Sequence, residues 1–293
     1  MGTYCNMNNT MSILPAFFDA HTHTQFAAYD DDRNAVMARA RDTGVWLINV
    51  GTEERTSAAA IASAHRAHRG VWATVGLHPL HAHESFHDAQ ELGPHPQGRE
   101  TLEGEEFNYN TYKKLATDPK VVGIGECGLD HFRMKDAAAR AKQAEVFRAH
   151  IELSAEIKKP LMIHCREAFG DLISTLQATN HKLPSPPGVV HFFSGTKKDA
   201  KKLLDMEFGF TFGGVVTFAR EYDEVIRYLP LDHILSETDA PYVSPAPYRG
   251  KRNEPVYIVE TVKKIADIRN EDLAMVAEAL VKNAIRTFSI PMN

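Results

Sequence analysis

Phe17-Phe18-Asp19-Ala20-His21-Thr22-His23 is a short apolar run that ends in an acid and two histidines. Residues two apart on a strand share a face, so His21 and His23 project together from its end, at a spacing that suits a metal ion. Seven more β-branched or apolar runs follow, at 45–50, 71–75, 121–125, 161–163, 189–192, 209–212 and 234–236; with 17–20 they make eight. Amphipathic stretches separate them at 32–43, 57–69, 135–158, 168–179, 197–206 and 221–228. Strand-then-helix repetition predicts parallel strands and right-handed crossovers. Runs with little alternation suit strands buried on both faces, as barrel strands are. A strand count of eight favours an α/β TIM (β/α)8 barrel over an open doubly wound sheet. The segment 255–287 has helical apolar spacing and no further strand, so it is expected to close the barrel from outside.

The length of 293 residues is near the ~250 typical of such a barrel, so one domain is predicted over 15–293. Residues 1–14 read as a disordered or loosely attached lead-in, polar and Asn-rich, without the basic start and apolar core of a signal peptide. No apolar run approaches the ~20 residues of a spanning helix, so no membrane association is expected and a cytoplasmic location is. Hydrophobic residues at 43% and charged residues at 24% supply a sizeable core and a charged surface. A formal charge of −5 argues against a broad basic coat for nucleic acid and leaves room for a local basic site. The three cysteines, Cys5, Cys127 and Cys165, suit a reducing compartment. Cys127 and Cys165 each adjoin a stronger ligand candidate and point to the opposite side of their strands, which makes them core fillers. Residues 81–108 are rich in His, Pro, Gly and Glu and read as a long loop on the catalytic face, with His81, His83, His87 and His95 solvated.

Later strand ends carry more ligand types: Glu126, His164, His191 and Asp239. In a TIM barrel the C-terminal ends of different strands converge on one pocket. Four histidines with two or three carboxylates exceed one tetrahedral ion and suit two. Glu126 is the expected bridge; His21, His23 and Asp239 are placed on one ion and His164 with His191 on the other. Asp19 is expected as a further ligand or as the acceptor that orients a histidine ring. Such ions would lower the pKa of bound water from 15.7 to roughly 7, and Asp239 is the candidate base. Arg166, two residues after His164, and the loop residues Arg249, Lys251 and Arg252 are candidates to grip phosphate. His78, at the end of the third strand, is a candidate substrate donor, and Tyr242 and Phe193 flank ligand blocks where they could stack on a base or pack.

Asp19-x-His21-x-His23, Gly76-Leu77-His78-Pro79, Gly125-Glu126-Cys127-Gly128-Leu129-Asp130, His164-x-Arg166, His191-Phe192-Phe193-Ser194-Gly195, Glu237-Thr238-Asp239-x-Pro241 and Tyr248-Arg249-Gly250-Lys251-Arg252-Asn253-Glu254-Pro255 together resemble the TatD family of metal-dependent deoxyribonucleases, in the amidohydrolase superfamily. The blocks run in order from about residue 16 to 255. The resemblance implies a TIM barrel, two divalent cations (Mg, Mn or Zn) and phosphodiester hydrolysis as a 3′-to-5′ exonuclease on DNA or RNA. A nucleic-acid substrate, single-stranded or entered at 3′ ends, and a monomeric enzyme are the corresponding expectations. The chain departs from the family pattern in the polar insert after Pro79 and in Phe192, where the family often has Cys; both bear on substrate choice more than on metal binding.

Two other readings are open. Another ester or amide could be hydrolysed on the same scaffold, as by an aminoacyl-tRNA deacylase. Phosphotriesterase-like and dihydroorotase-like enzymes carry a bridging, carbamylated Lys on the fourth strand, and Glu126 at that place counts against them. A barrel that has lost its chemistry is the third reading, and the filled ligand positions count against it.

Overall fold

Eight parallel strands form one sheet in the order β1-β2-β3-β6-β7-β8-β9-β10 in the computed structural model, which describes residues 14–67, 69–86, 88–94 and 101–292. They are β1 (Phe17–Thr22), β2 (Val45–Val50), β3 (Val71–Val75), β6 (Val121–Asp130), β7 (Leu161–Arg166), β8 (Gly188–Val190), β9 (Gly209–Phe212) and β10 (Ile234–Ser236). A hairpin of β4 (Ser85–Phe86) and β5 (Thr101–Leu102) stands apart from the sheet. The helices are α1 (Arg33–Asp42), α2 (Glu54–Arg66), α3 (Ala89–Leu92), α4 (Tyr109–Ala116), α5 (Ala137–Ile157), α6 (Phe169–Thr179), α7 (Lys197–Leu204), α8 (Asp223–Tyr228), α9 (Ile258–Arg269) and α10 (Leu273–Thr287). Helix starts use local chemistry: Asp136 accepts from Ala139 N–H ahead of α5, and Thr196 with Asp199 forms a capping box on α7.

The strand expectations match closely, so the TIM barrel stands. Two differences matter for the site. The fourth barrel strand, expected to stop at 125, continues to Asp130, because it remains buried and paired with β7 over that length. The segment expected as one helical closure at 255–287 is two helices, broken where Asn270 adopts φ +53°. Most of 1–14, Cys5, His87 and His95 lie outside the described residues.

The core has two shells. The larger packs strand faces such as Leu47, Val75 and Ile163 against the helices. The smaller fills the barrel with Phe18, Ile48, Trp72, Val122, Met162, Val189 and Leu235, and is stoppered by Val281, Ala284, Phe288 and Ile290 from α10 and the tail. Next along the inside come the polar residues. Met162 and Val189 sit two before His164 and His191, so alternation aims both imidazoles into the mouth. On β1 a register shift between Asp19 and Thr22 breaks the alternation. That irregularity divides Asp19 from His21, the use to which bulges beside sites are often put.

The sheet closes where β10 meets β1. Ser236 Oγ donates to Phe18 O at 2.9 Å, Asp239 N–H to His21 O at 2.9 Å and His23 N–H to Ala240 O at 2.8 Å. Asp19 completes the seam by accepting from Thr238 N–H (2.9 Å), Thr238 Oγ1 (2.5 Å) and His21 N–H (3.3 Å). Glycines permit two close approaches. A Cβ at Gly76 would lie 2.6 Å from Gly125 Cα, and one at Gly128, whose φ is +139°, would lie 2.0 Å from His164 O.

Candidate metal centre

Glu126 sits at the middle of the barrel mouth, 4% exposed, with its two oxygens facing different partners. Oε2 lies 3.4 Å from His21 Nε2. Oε1 lies 2.9 Å from His164 Nδ1, 2.9 Å from His191 Nε2 and 3.3 Å from His78 Nε2. Burial alone would raise its pKa, but His191, His78 and His164 outweigh it and hold the carboxyl well below its ordinary value. Glu126 therefore stays ionised with partners on both sides.

On one side His21, His23 and Asp239 converge. The two Nε2 atoms are 3.0 Å apart, and Asp239 Oδ1 is 3.6 Å from His21 Nε2 and 3.4 Å from His23 Nε2. His23 Nδ1 donates to Val50 O at 2.8 Å, which puts the proton of the neutral ring there and turns the Nε2 lone pair inward. A cation held about 2.0–2.1 Å from four donors spaces them about 3.3–3.4 Å apart. The observed separations of 3.0–3.6 Å bracket that value, so the donor set fits a cation.

On the other side Glu126 Oε1 faces His164 and His191, whose Nδ1 and Nε2 are 3.4 Å apart. His164 Nε2 donates to Asp130 Oδ2 at 3.1 Å, leaving Nδ1 as the inward lone pair. Burial raises the Asp130 pKa, but His164 and the Arg133 N–H bring it down to about 2. His191 Nδ1 faces Glu237 at 3.6 Å. His78 has a different role although it lies close to Glu126 and His164. Leu80 N–H donates to its Nδ1 at 3.1 Å, so the neutral ring carries its proton on Nε2 and is a donor. Burial drives its pKa down to about 4, so the ring is neutral at physiological pH.

Burial disfavours protonation at His23, His164 and His191 alike, yet the carboxylates around them outweigh it and raise all three pKa values. The same negative field draws in a metal cation. Asp239 is itself pushed up by burial, but His23 and His21 carry it below the ordinary value.

Above the centre opens a cavity of about 1170 Å³. His78, Arg166 and Tyr242 line it, with Phe132 and Arg133 from the loop after β6. The polar insert forms another wall through His81, Glu84, Asp88, Glu91 and Thr101. It is not the structureless loop expected. His81 is mostly covered, with Nε2 at 3.0 and 3.1 Å from the two oxygens of Glu91, and His83 Nε2 bonds Ala139 O at 2.8 Å. Those two histidines are thus built into the fold and not solvated. Phe193 is a core residue, and Tyr242 donates to Asp88 at 2.7 Å. Cys127 and Cys165 are buried, as expected of fillers.

The candidates divide accordingly. His21, His23, Glu126, His164, His191 and Asp239 come together, with His78 and Arg166 beside them. Arg249, Lys251 and Arg252, expected as a phosphate grip, are not among the residues that line the cavity. The Arg252 guanidinium is taken up by Asp32 at 2.7 Å and by Ala28 O, and Arg249 bonds Ser244 O while lying 4.0 Å over the Phe218 ring. Asp19 holds backbone and Thr238 across the seam, and no imidazole nitrogen, because the register shift carries the His21 ring away from it. Sequence reasoning passed over Glu237 and Asp130. Glu237 is two before Asp239, and Asp130 continues the alternation from Glu126, so the His21 logic would have found both.

The chain is similar to known proteins over nearly its whole length. A family model described as TatD related DNase matches residues 18–289. A Pantoea ananatis protein named 3′-5′ ssDNA/RNA exonuclease TatD is 34% identical over 279 residues, covering 92% of this chain and 96% of the relative. A Bacillus subtilis protein named as the uncharacterized metal-dependent hydrolase YabD is 32% identical over 275 residues, covering 93% and 99%. The crystal structure of YJJV, a TatD homolog from Escherichia coli K12, superposes with a TM-score of 0.79 at 25% identity, covering 95% of this chain and all of that one.

Proposed function

The chain belongs to the TatD-related DNase family of metal-dependent hydrolases, and on that footing we propose that it is a 3′-to-5′ exonuclease acting on single-stranded DNA or RNA. The observation that carries the reading is Glu126, whose oxygens divide between His21 on one side and His164 with His191 on the other, at the floor of an open cavity. The relatives named as 3′-5′ ssDNA/RNA exonucleases, at 34% identity, support the substrate and polarity.

His21, His23 and Asp239 with Glu126 Oε2 would hold one divalent cation, and His164 and His191 with Glu126 Oε1 the other, with Mg, Mn and Zn as candidates. Two such ions bring acidified water and polarised phosphoryl oxygens to the site. Asp239 is ionised and partly open to the cavity, which equips it to accept the proton released as water attacks. His78, neutral with its proton on Nε2, offers a hydrogen bond to a phosphate oxygen. Arg166 and Arg133, both exposed on the cavity rim, supply positive charge for the phosphate. Asp130 steadies the His164 ring from behind, whereas Glu237 accepts from Phe192 N–H and Thr211 Oγ1 and lies 3.6 Å behind His191 as a nearby negative charge. The buried thiols of Cys127 and Cys165 agree with a reducing compartment, in this proposal the cytoplasm.

The test is cleavage of 3′- and 5′-labelled single-stranded DNA and RNA by metal-stripped protein with Mg, Mn or Zn restored, beside Glu126→Ala. Metal-dependent shortening from the 3′ end that vanishes in the variant is expected. Intact strands with metal bound would reject the nuclease reading and direct attention to another ester or amide.

A further inference from the structure

Five large apolar side chains stand exposed among the described residues, and two of them, Phe132 at 43% and Phe218 at 42%, follow barrel strands on the catalytic face. Each carries an arginine on its ring. Arg166 Cζ lies 3.8 Å from the Phe132 centroid, and Arg249 Cζ lies 4.0 Å from that of Phe218. Phe132 comes two residues after β6 and Arg166 is the last residue of β7. Phe218 caps the turn Gly214–Thr217 that follows β9, and Arg249 lies in the loop after β10. Tyr222, half-buried and four residues beyond Phe218, lines the cavity and is close enough to Arg166 to feel its charge.

Phe132 and Phe218, 43% and 42% exposed, each keep part of the ring in water, and a cation over the face gives the pair a broad flat surface with a positive edge, of which one Arg249 nitrogen is given to Ser244 O. That combination suits a nucleobase stacked on a ring or guanidinium plane with its phosphate against the arginine. The part of the cavity wall made by the insert presents Glu84, Asp88 and Glu91, with Asp88 held by Tyr242 and Glu91 by His81. Phosphates are repelled from that wall and drawn to the arginine side.

We propose that Phe132–Arg166 and Phe218–Arg249 are successive stacking steps of a single-strand track, along which the chain behind the scissile end leaves the cavity past Tyr222. The track rests on the reading of the substrate as single-stranded nucleic acid and gives Arg249 a place in binding outside the cavity. Its chemistry selects strands with bases, of either sugar, without reading sequence, because every base has a stacking face.

Fluorescence anisotropy with metal-loaded protein and labelled, nuclease-resistant phosphorothioate oligomers tests it, comparing thymidine strands with abasic strands of equal length. The wild type should prefer the base-bearing strand by about ten-fold, within what aromatic stacking supplies. Phe132→Leu and Phe218→Leu should each remove much of that preference, and Phe132→Trp should keep it. Equal binding of both strands by the wild type, or a preference untouched in both leucine variants, overturns the track. A preference that is present and lost in the variants upholds it, even if a cleavable strand is never shortened; the exonuclease reading alone would then fail.

Discussion

Replacing Glu91 by Gln removes the charge that holds the insert to the barrel. Glu91 takes His81 Nε2 on both oxygens, at 3.0 and 3.1 Å, and also accepts from Thr52 Oγ1. The two side chains are only 10% and 8% exposed, so water does little to compensate. Removing one partner of such a buried pair costs about 3–5 kcal/mol. In a chain somewhat larger than 250 residues each kcal/mol moves Tm by about 2 °C, so a fall of about 6–10 °C is expected. Since Glu91 lies in the insert, detachment of 81–108 sets a ceiling on the loss and would show as faster proteolytic nicking there. The pH sign follows from both groups. Burial depresses His81, but Glu91 outweighs it and raises the pKa above the ordinary 6.5, so its stabilisation is complete below 6.5 and fades as pH climbs through the raised value. Burial raises Glu91, but His81 outweighs it and lowers the pKa below 4.5, so its share is complete above 4.5 and fades as pH falls through the lowered value. The difference between wild type and variant should therefore be greatest between pH 4.5 and 6.5 and shrink on the alkaline side. Thermal unfolding near the middle of that window and again in mild alkali measures it. A loss below about 1 kcal/mol within the window, or one that grows with pH, would refute the account.

Adding a divalent cation at about a hundred times its Kd should stabilise the metal-stripped protein by about 2.7 kcal/mol, visible as a Tm rise of about 5 °C. Asp239→Asn should lower kcat by about 10²–10⁴-fold while Tm and most bound metal remain; near-normal turnover would remove Asp239 as the base. Arg166→Gln should raise KM for a single strand by about ten-fold and leave Tm unchanged. Arg252→Gln should do the reverse, costing about 1–2 kcal/mol of stability with KM little altered, as calorimetry and steady-state kinetics together would show.

The barrel was legible because its strands are buried on both faces and therefore stand out as β-branched runs, such as Val45–Val50 and Val71–Val75, between amphipathic helices. The candidate ligands were legible because Glu126, His164, His191 and Asp239 each follow an apolar run within or just beyond a barrel strand, towards the end where the fold makes distant residues neighbours. What escaped depends on partners that sequence does not display. Arg252 and Arg166 look alike as positive charges in motif loops, and only the position of Asp32, 220 residues away from Arg252, decides which is spent on an ion pair. His81 looked solvated because its partner Glu91 lies in a polar stretch with no apolar period. Asp19 shares a strand with His21, and a register shift that no residue pattern announces sends the two to different tasks.

The mouth of this barrel is organised around a shortage of positive charge. His21 and His23 place Nε2 atoms 3.0 Å apart beside Glu126 and Asp239, and the His21 ring is stacked on His191 with centroids 3.9 Å apart. His21 Nδ1 and His191 Nδ1 are both buried without a hydrogen-bond partner, so neither ring is held by its back nitrogen. What fixes the rings is the frame. Asp19 and Thr238 lock the seam behind His21, and Asn253 Nδ2 donates to Thr238 O and Tyr242 O on either side of Asp239. That frame also holds Asp239 at φ +55°, while Thr211 Oγ1 and Glu237 Oε1 take the N–H of Phe192 at φ +45°; each is a conformation that costs an L-residue about 1–3 kcal/mol. Packing thus enforces an arrangement that the polar groups would not choose among themselves. Until a cation arrives, the carboxylates around His23, His164 and His191 outweigh burial and favour protonation of the three rings, which raises their pKa values. A metal cation would compete with those protons, so its affinity should rise with pH.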